Sequence, residues 1–255
     1  MVLDNHAEFY EYLRGKRVVV VGPSKGSSCV RQGSHIDSFD VVIRIKDTYV
    51  KPEERVFLGT RTDVCYTTNP LENSVVTQRN NTFTHPTDEK QYRPTKLDVT
   101  RYEHIAWVVS AYPSEERFMD KNTFVRFKQS VKRSGVHTKV CMCPPNKYFE
   151  VKSLVNRPFS GFSMLLDVAG SLCSELHVVG MDFYRSGYRA SHINGMYTDK
   201  TIRYAATTDD GNEGHRPDLM YKYFKYQMMK NDKRITVDDS LRSFLEDDRY
   251  DNIFT

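Results

Sequence analysis

The sequence predicts an α/β fold: a mainly parallel central sheet flanked by helices. Three observations carry this. Residues 17–21 are a β-branched run too continuous for a half-exposed strand, and parallel strands buried on both faces read this way. Comparable runs recur at 39–46, 63–68, 105–110, 139–143, 176–180 and 234–237. Helix-like segments separate most of them, the alternation expected of βαβ units. The 255 residues allow one large domain or two small ones, with ample material for a core. No internal repeat or low-complexity tract stands out, and residues 1–255 are taken as a single domain.

Composition narrows the class. Hydrophobic residues make up 39% and charged residues 27%, which excludes gross disorder. Thirty-seven basic against 33 acidic residues leave a net charge of +4. That is no nucleic-acid-binding stripe, and it suits either an anionic small substrate or an ordinary, slightly basic surface. The five cysteines are odd in number, and Cys141 and Cys143 stand too close for a zinc knuckle. Buried thiols in a reducing compartment are expected. No run of 18 apolar residues occurs, and Asp4, Glu8 and Glu11 occupy the N-terminal region, so neither anchor nor secretory leader is expected in this chain.

The elements follow in order. Phe9 and Leu13, at i and i+4, predict a first helix over 5–13. After the first strand, Gly22-Pro23-Ser24-Lys25-Gly26-Ser27-Ser28 is rich in residues that let backbone N–H groups approach an anion. It matches neither G-x-G-x-x-G nor a Walker A sequence, so it reads equally as a phosphate loop or a polar turn. Arg44 interrupts the apolar run of the second strand and needs a carboxylate or a ligand phosphate; Lys46 ends that strand and is the better ligand candidate. Asn69 closes the third strand ahead of Pro70, with an amide suited to a base or sugar, or simply to a turn. Residues 72–102 read as a long excursion. Residues 114–130 are helix-like, with Phe118, Phe124 and Phe127 as core.

The centre of the chain is Arg157-Pro158-Phe159-Ser160-Gly161-Phe162-Ser163, a tight turn into a helix whose apolar face is Met164, Leu165, Val168, Leu172 and Cys173. The strand at 176–180 follows, ending in Met181-Asp182-Phe183-Tyr184 and then Tyr188. Ligands of open α/β sheets sit outside the carboxyl ends of strands. A helix start at Ser160, Gly161 and Phe162 that suits phosphate, and a cluster of Asp182, Tyr184 and Tyr188, are therefore expected at one crevice. Residues 189–214 lack periodicity and read as a lid. His215 opens the last strong helix, over 219–231, where the dipole favours the neutral imidazole that a general base needs.

In that order the pieces resemble a known family. Val18–Gly22, the Ser-rich loop and Ile36–Arg44 are similar to the large motif of the animal-type sialyltransferases, glycosyltransferase family 29, and residues 58–63 to the segment after it. Pro158–Gly161 through Leu172–Gly180 resembles their small motif. Residues 180–184, Tyr188 and Gly214-His215 also look like the bacterial sialyltransferases of family 42. The resemblance implies a single Rossmann-like, GT-A-type domain, a CMP-activated donor, inverting transfer, and no cofactor or essential metal. By position, Gly22, Ser24 and Asn69 would hold CMP, and Ser160 and Gly161 the donor's phosphate or carboxylate. Tyr184 and Tyr188 would hydrogen-bond the leaving phosphate, and His215 would be the base for a glycan hydroxyl, a galactoside among the expected acceptors. Pro23 and Lys46 stand where the family carries asparagines. Val18 stands where it carries a cysteine bridged to the position of Cys173. A cytoplasmic setting is expected, or a Golgi-lumen catalytic domain whose anchor has been removed. Transfer of another CMP-linked sugar acid such as Kdo, or a non-catalytic nucleotide- or glycan-binding module, are the alternatives.

Overall fold

The structure, a computed structural model, describes residues 6–46, 49–67, 99, 102–113, 121–189 and 215–247, without the side chains of 121–123. Seven strands lie within these residues: β1 (Arg17–Val21), β2 (Val41–Ile45), β3 (Val64–Thr67), β4 (Trp107–Ser110), β5 (Lys139–Met142), β6 (Glu175–Val179) and β7 (Ile235–Val237). They form one sheet in the order β5-β4-β3-β2-β1-β6-β7. Every neighbouring pair is parallel. The expected α/β class and each expected strand are therefore present. The chain winds outward from β1 to β5, then returns to the other side of β1 with β6. The reversal of strand order lies between β1 and β6, where such sheets open a crevice.

Burial on both faces explains the unbroken apolar runs. Val18, Val20, Ile43 and Tyr66 point to one face and meet α1 (His6–Leu13) and α6 (Ser160–Ala169) through Phe9, Leu13, Met164 and Leu165. α5 (Pro145–Val155), α7 (Pro217–Tyr223) and α8 (Asp239–Glu246) complete that layer. Val19, Val21 and Val42 point to the other face, against Ile36 of α2 (Gly33–Asp37) and Leu58 of α3 (Arg55–Leu58). Further along that face, Phe124 and Phe127 of α4 (Lys121–Arg133) cover Cys65, Val108 and Val140. Those two phenylalanines are core, as expected.

Several expectations change. The central helix ends at Ala169, so Leu172 is 58% exposed and Cys173 is buried beyond the helix. The last strong helix starts at Pro217, whose missing N–H costs nothing at a helix start, and winds as a π-helix over Phe224–Met229. Arg44 is fully buried. It donates to the Leu58 and Arg61 carbonyls and the Thr62 hydroxyl, at 2.6–3.1 Å, holding the α3–β3 connection rather than facing the crevice. All five cysteines are free thiols. Val18 pairs with Leu176 across β1 and β6, where the family's bridge would begin. The expected lid, apart from Arg189, and most of residues 72–102 lie outside the described residues, as do Asn69, Phe118 and His85. Among the described residues, no helix is long and apolar enough to cross a membrane.

Candidate active site

The loops leaving β1 and β6 are stitched together. The Gly22 N–H donates to the Val179 carbonyl (2.7 Å), Ser24 to Gly180 (3.1 Å) and Lys25 to Gly187 (3.0 Å). In return the Arg189 N–H donates to Pro23 (2.9 Å), and its guanidinium to Gly22 (2.8 Å). Ser24 and Tyr188 thereby face each other as an antiparallel bridge. The N–H groups of Gly22, Ser24 and Lys25 thus have carbonyl partners in β6 and the loop that follows it. Gly22 is required on steric grounds. A Cβ there would stand 2.2 Å from the Gly180 carbonyl oxygen, so only glycine lets the two loops meet.

Beyond β6 the backbone is contorted. Gly180, Phe183 and Tyr184 have φ of 65°, 53° and 68°, the last two in a region that residues with large side chains seldom occupy. Such strain persists only where surrounding structure enforces it, and it clusters at functional sites. The Asp182 carboxyl accepts from the Ser186 N–H (2.9 Å) and hydroxyl and so closes the turn. Burial pushes its pKa up, and the Ser186 hydrogen bonds oppose the shift. Asp182 thus shapes the loop. The turn sets the Tyr184 ring against Phe159, with centroids 4.9 Å apart, and beside Tyr188 at 5.6 Å. Phe183 points inward to Tyr221 and Phe224.

His215 completes the cluster. Its backbone bridges Asn156, itself at φ 60°, and its ring lies 6.1 Å from Phe159 and 6.4 Å from Tyr184. The Arg157 carbonyl is 2.9 Å from Nδ1 and can only accept, so Nδ1 carries the hydrogen and the lone pair is on Nε2. The Arg157 guanidinium donates to that nitrogen at 3.3 Å. Burial, then the Arg157 charge and more weakly Lys46, push the pKa down to about 4, against the raising effect of the carbonyl. The ring is therefore neutral at pH 7. Lys46 follows β2 at φ 60°, its N–H donating to the Tyr66 carbonyl at 2.7 Å.

Of the residues expected at the site, Lys46, Tyr184, Tyr188 and His215 come together. Ser160 stands at the start of α6, where the Phe162 and Ser163 N–H groups already turn back to Phe159. Gly161 lies against Ile45 and Met181, whose terminal atoms a Cβ would meet at 2.7 Å. Phe162 is fully buried between Phe159, Phe183 and Tyr223 and backs the site from within the core. Sequence reasoning assigned no role to Arg157. Its signal was available: a cation directly before the Pro-Phe-Ser-Gly turn, at the end of the sheet where ligands bind.

The model of glycosyltransferase family 29 (sialyltransferase) matches residues 5–215. The chain belongs to this family. A sequence comparison with curated proteins finds no match. Among solved structures, the fold is similar to a mammalian sialyltransferase at a TM-score of 0.50 and 11% identity, covering 92% of this chain and 78% of that one. A mammalian sialyltransferase in complex with Gal-beta-1-3GalNAc-ortho-nitrophenol gives 0.48 at 12% identity over 93% and 81%. The sialyltransferase CstII from Campylobacter jejuni, in complex with the substrate analogue CMP-3FNeuAc, gives 0.44 at 12% over 90% and 84%. The likeness of fold rests on the first of these.

As a family 29 glycosyltransferase, the chain uses much of its motif sequence as scaffold. The Asp37 carboxyl accepts from the Thr60 N–H and hydroxyl at 2.8–2.9 Å and from the Arg61 N–H at 3.2 Å. Arg61 in turn donates to the Asp37, Phe39 and Asp40 carbonyls and to Asp63. Asp63 accepts from the Val42 N–H at 2.8 Å. These contacts clamp residues 58–63 onto the large motif and fix where β2 delivers Lys46.

Proposed function

We propose that this sialyltransferase-family protein transfers sialic acid from CMP-Neu5Ac to a sugar hydroxyl of a glycan, with inversion and without a metal. The observation that carries the reading is the neutral His215 ring, held by the Arg157 carbonyl and flanked by Arg157, Lys46 and the Tyr184–Tyr188 pair. Two cations suit the two anionic groups of a CMP-linked sugar acid, its phosphate and its carboxylate. The acceptor oxygen attacks the anomeric carbon while the bond from that carbon to the phosphate oxygen breaks. The hydroxyl proton passes to Nε2 of His215, and CMP leaves with the electron pair. The Tyr184 and Tyr188 hydroxyls donate to the phosphate as its charge grows.

The test measures CMP release from CMP-Neu5Ac or CMP-Kdo, with and without lactose and with and without a chelator. Release from CMP-Neu5Ac, faster with lactose and insensitive to the chelator, is expected. His215→Ala should lower turnover about 10²–10⁴-fold with donor affinity little changed, the pattern of a lost base. CMP released from neither donor would overturn the reading. Preference for CMP-Kdo would replace the sugar and keep the site.

A further inference from the structure

One residue holds both nitrogens of the candidate base. The Arg157 carbonyl fixes Nδ1, and the Arg157 guanidinium covers Nε2, where a proton would have to arrive. In this arrangement the lone pair is occupied and its proton affinity is depressed. We propose that Arg157 is a positioning residue that caps the His215 base in the donor-free protein, and that an anionic group of the donor draws its guanidinium away and uncaps the ring. The inference rests on His215 being the base.

The charges around the ring support it. Among the described residues, Arg157 approaches from the segment ahead of α6 and Lys46 from the end of β2, both positive. Tyr184 faces the ring from the turn after β6. On the ring's own segment, Arg216 and Asp218 pair with each other at 2.7 and 3.0 Å. The balance at the ring is cationic, which favours its neutral form and would attract a phosphate or carboxylate. A guanidinium fork prefers a bidentate anion to a single nitrogen lone pair contacted at 3.3 Å. Anion binding would thus free Nε2 and offset the two positive charges, and both changes raise its affinity for a proton. The base would be armed only while donor is bound.

The experiment follows the His215 ring by NMR in histidine-labelled protein over about pH 5 to 8, the window in which an ordinary imidazole titrates. Its signal, one of eight, is assigned by its loss in His215→Asn. In the free protein the ring should stay neutral throughout. With saturating CMP, which carries only the phosphate, or free Neu5Ac, which carries only the carboxylate, it should titrate inside the window. The arm that acts identifies the group that engages Arg157. With no ligand, His215 in Arg157→Gln should titrate at higher pH than in the wild-type protein, whereas in Arg157→Lys, which keeps the charge, it should shift less. If Arg157→Gln does not fold, the wild-type comparison with and without CMP decides alone. CMP binding by calorimetry with an unchanged His215 titration would sink the uncapping and leave the donor reading intact. Absence of binding by both CMP and Neu5Ac would sink both.

Discussion

Lys46 separates backbone from side chain more cleanly than any other residue of the site. Its φ of 60° is enforced by the hydrogen bond to the Tyr66 carbonyl, and a left-handed lysine costs about 1–3 kcal/mol. Glycine or asparagine would hold that conformation with less strain. What lysine adds is a charge beside His215 and Arg157. Lys46→Asn should therefore leave the stability measured by urea unfolding unchanged or raise it by up to about 1 kcal/mol. It should weaken CMP-Neu5Ac binding about tenfold, which is ~1.4 kcal/mol. Calorimetry checks the second value, and undiminished affinity would remove Lys46 from the site. Lys46 and His215 were legible in the sequence because each is a polar residue at the edge of an apolar element. Arg157 was legible as a cation ahead of a turn but not in its role, which depends on a histidine 58 positions away that only the fold brings within 3.3 Å.

The β1 and β6 elements meet through glycine. At Gly22 a methyl group would collide with backbone, which cannot rotate aside as a side chain can. Gly22→Ala should cost at least ~2 kcal/mol of stability and lower the urea midpoint. Gly26→Ala, whose Cβ would first meet the Ser240 hydroxyl at 3.1 Å, should cost much less. Equal midpoints for the two variants would show that the loops can separate at little cost. The same loops mark where sequence reading stops. Strands such as β1 and β2 were legible because burial on both faces demands unbroken apolar runs. Their order in the sheet was not, because period and composition do not say which strand lies beside β1. The Ser-rich loop was ambiguous for a related reason. Small residues permit a backbone to approach an anion or another backbone, and here the partner is the β6 loop.

At the scale of the molecule, one buried carboxyl ties the start of the chain to its centre. Asp167, on the inner face of α6, is 1% exposed. Its Oδ1 accepts from His6 Nε2 (2.8 Å) and the Tyr10 hydroxyl (3.0 Å), both of α1, and its Oδ2 from the Tyr66 hydroxyl of β3 (2.7 Å). Burial and the neighbouring Asp167 push both phenols well above their ordinary pKa of 10.0, so they remain protonated donors. By linkage, a raised phenol pKa gives stability that is full below about pH 10 and falls only above it. Three donors converge on one acceptor group, which an amide cannot reproduce, because its NH₂ would face a donor. Asp167→Asn should cost about 2–4 kcal/mol by urea unfolding, the range for a buried polar group deprived of its partners. The loss should be local first: in hydrogen exchange, the α1 amides should lose protection before those of β1 and β2. His6→Ala and Tyr10→Phe each remove one donor of the three and should cost about 1 kcal/mol. If Asp167→Asn keeps wild-type stability, or α1 keeps its protection, the carboxyl does not hold the first helix to the core.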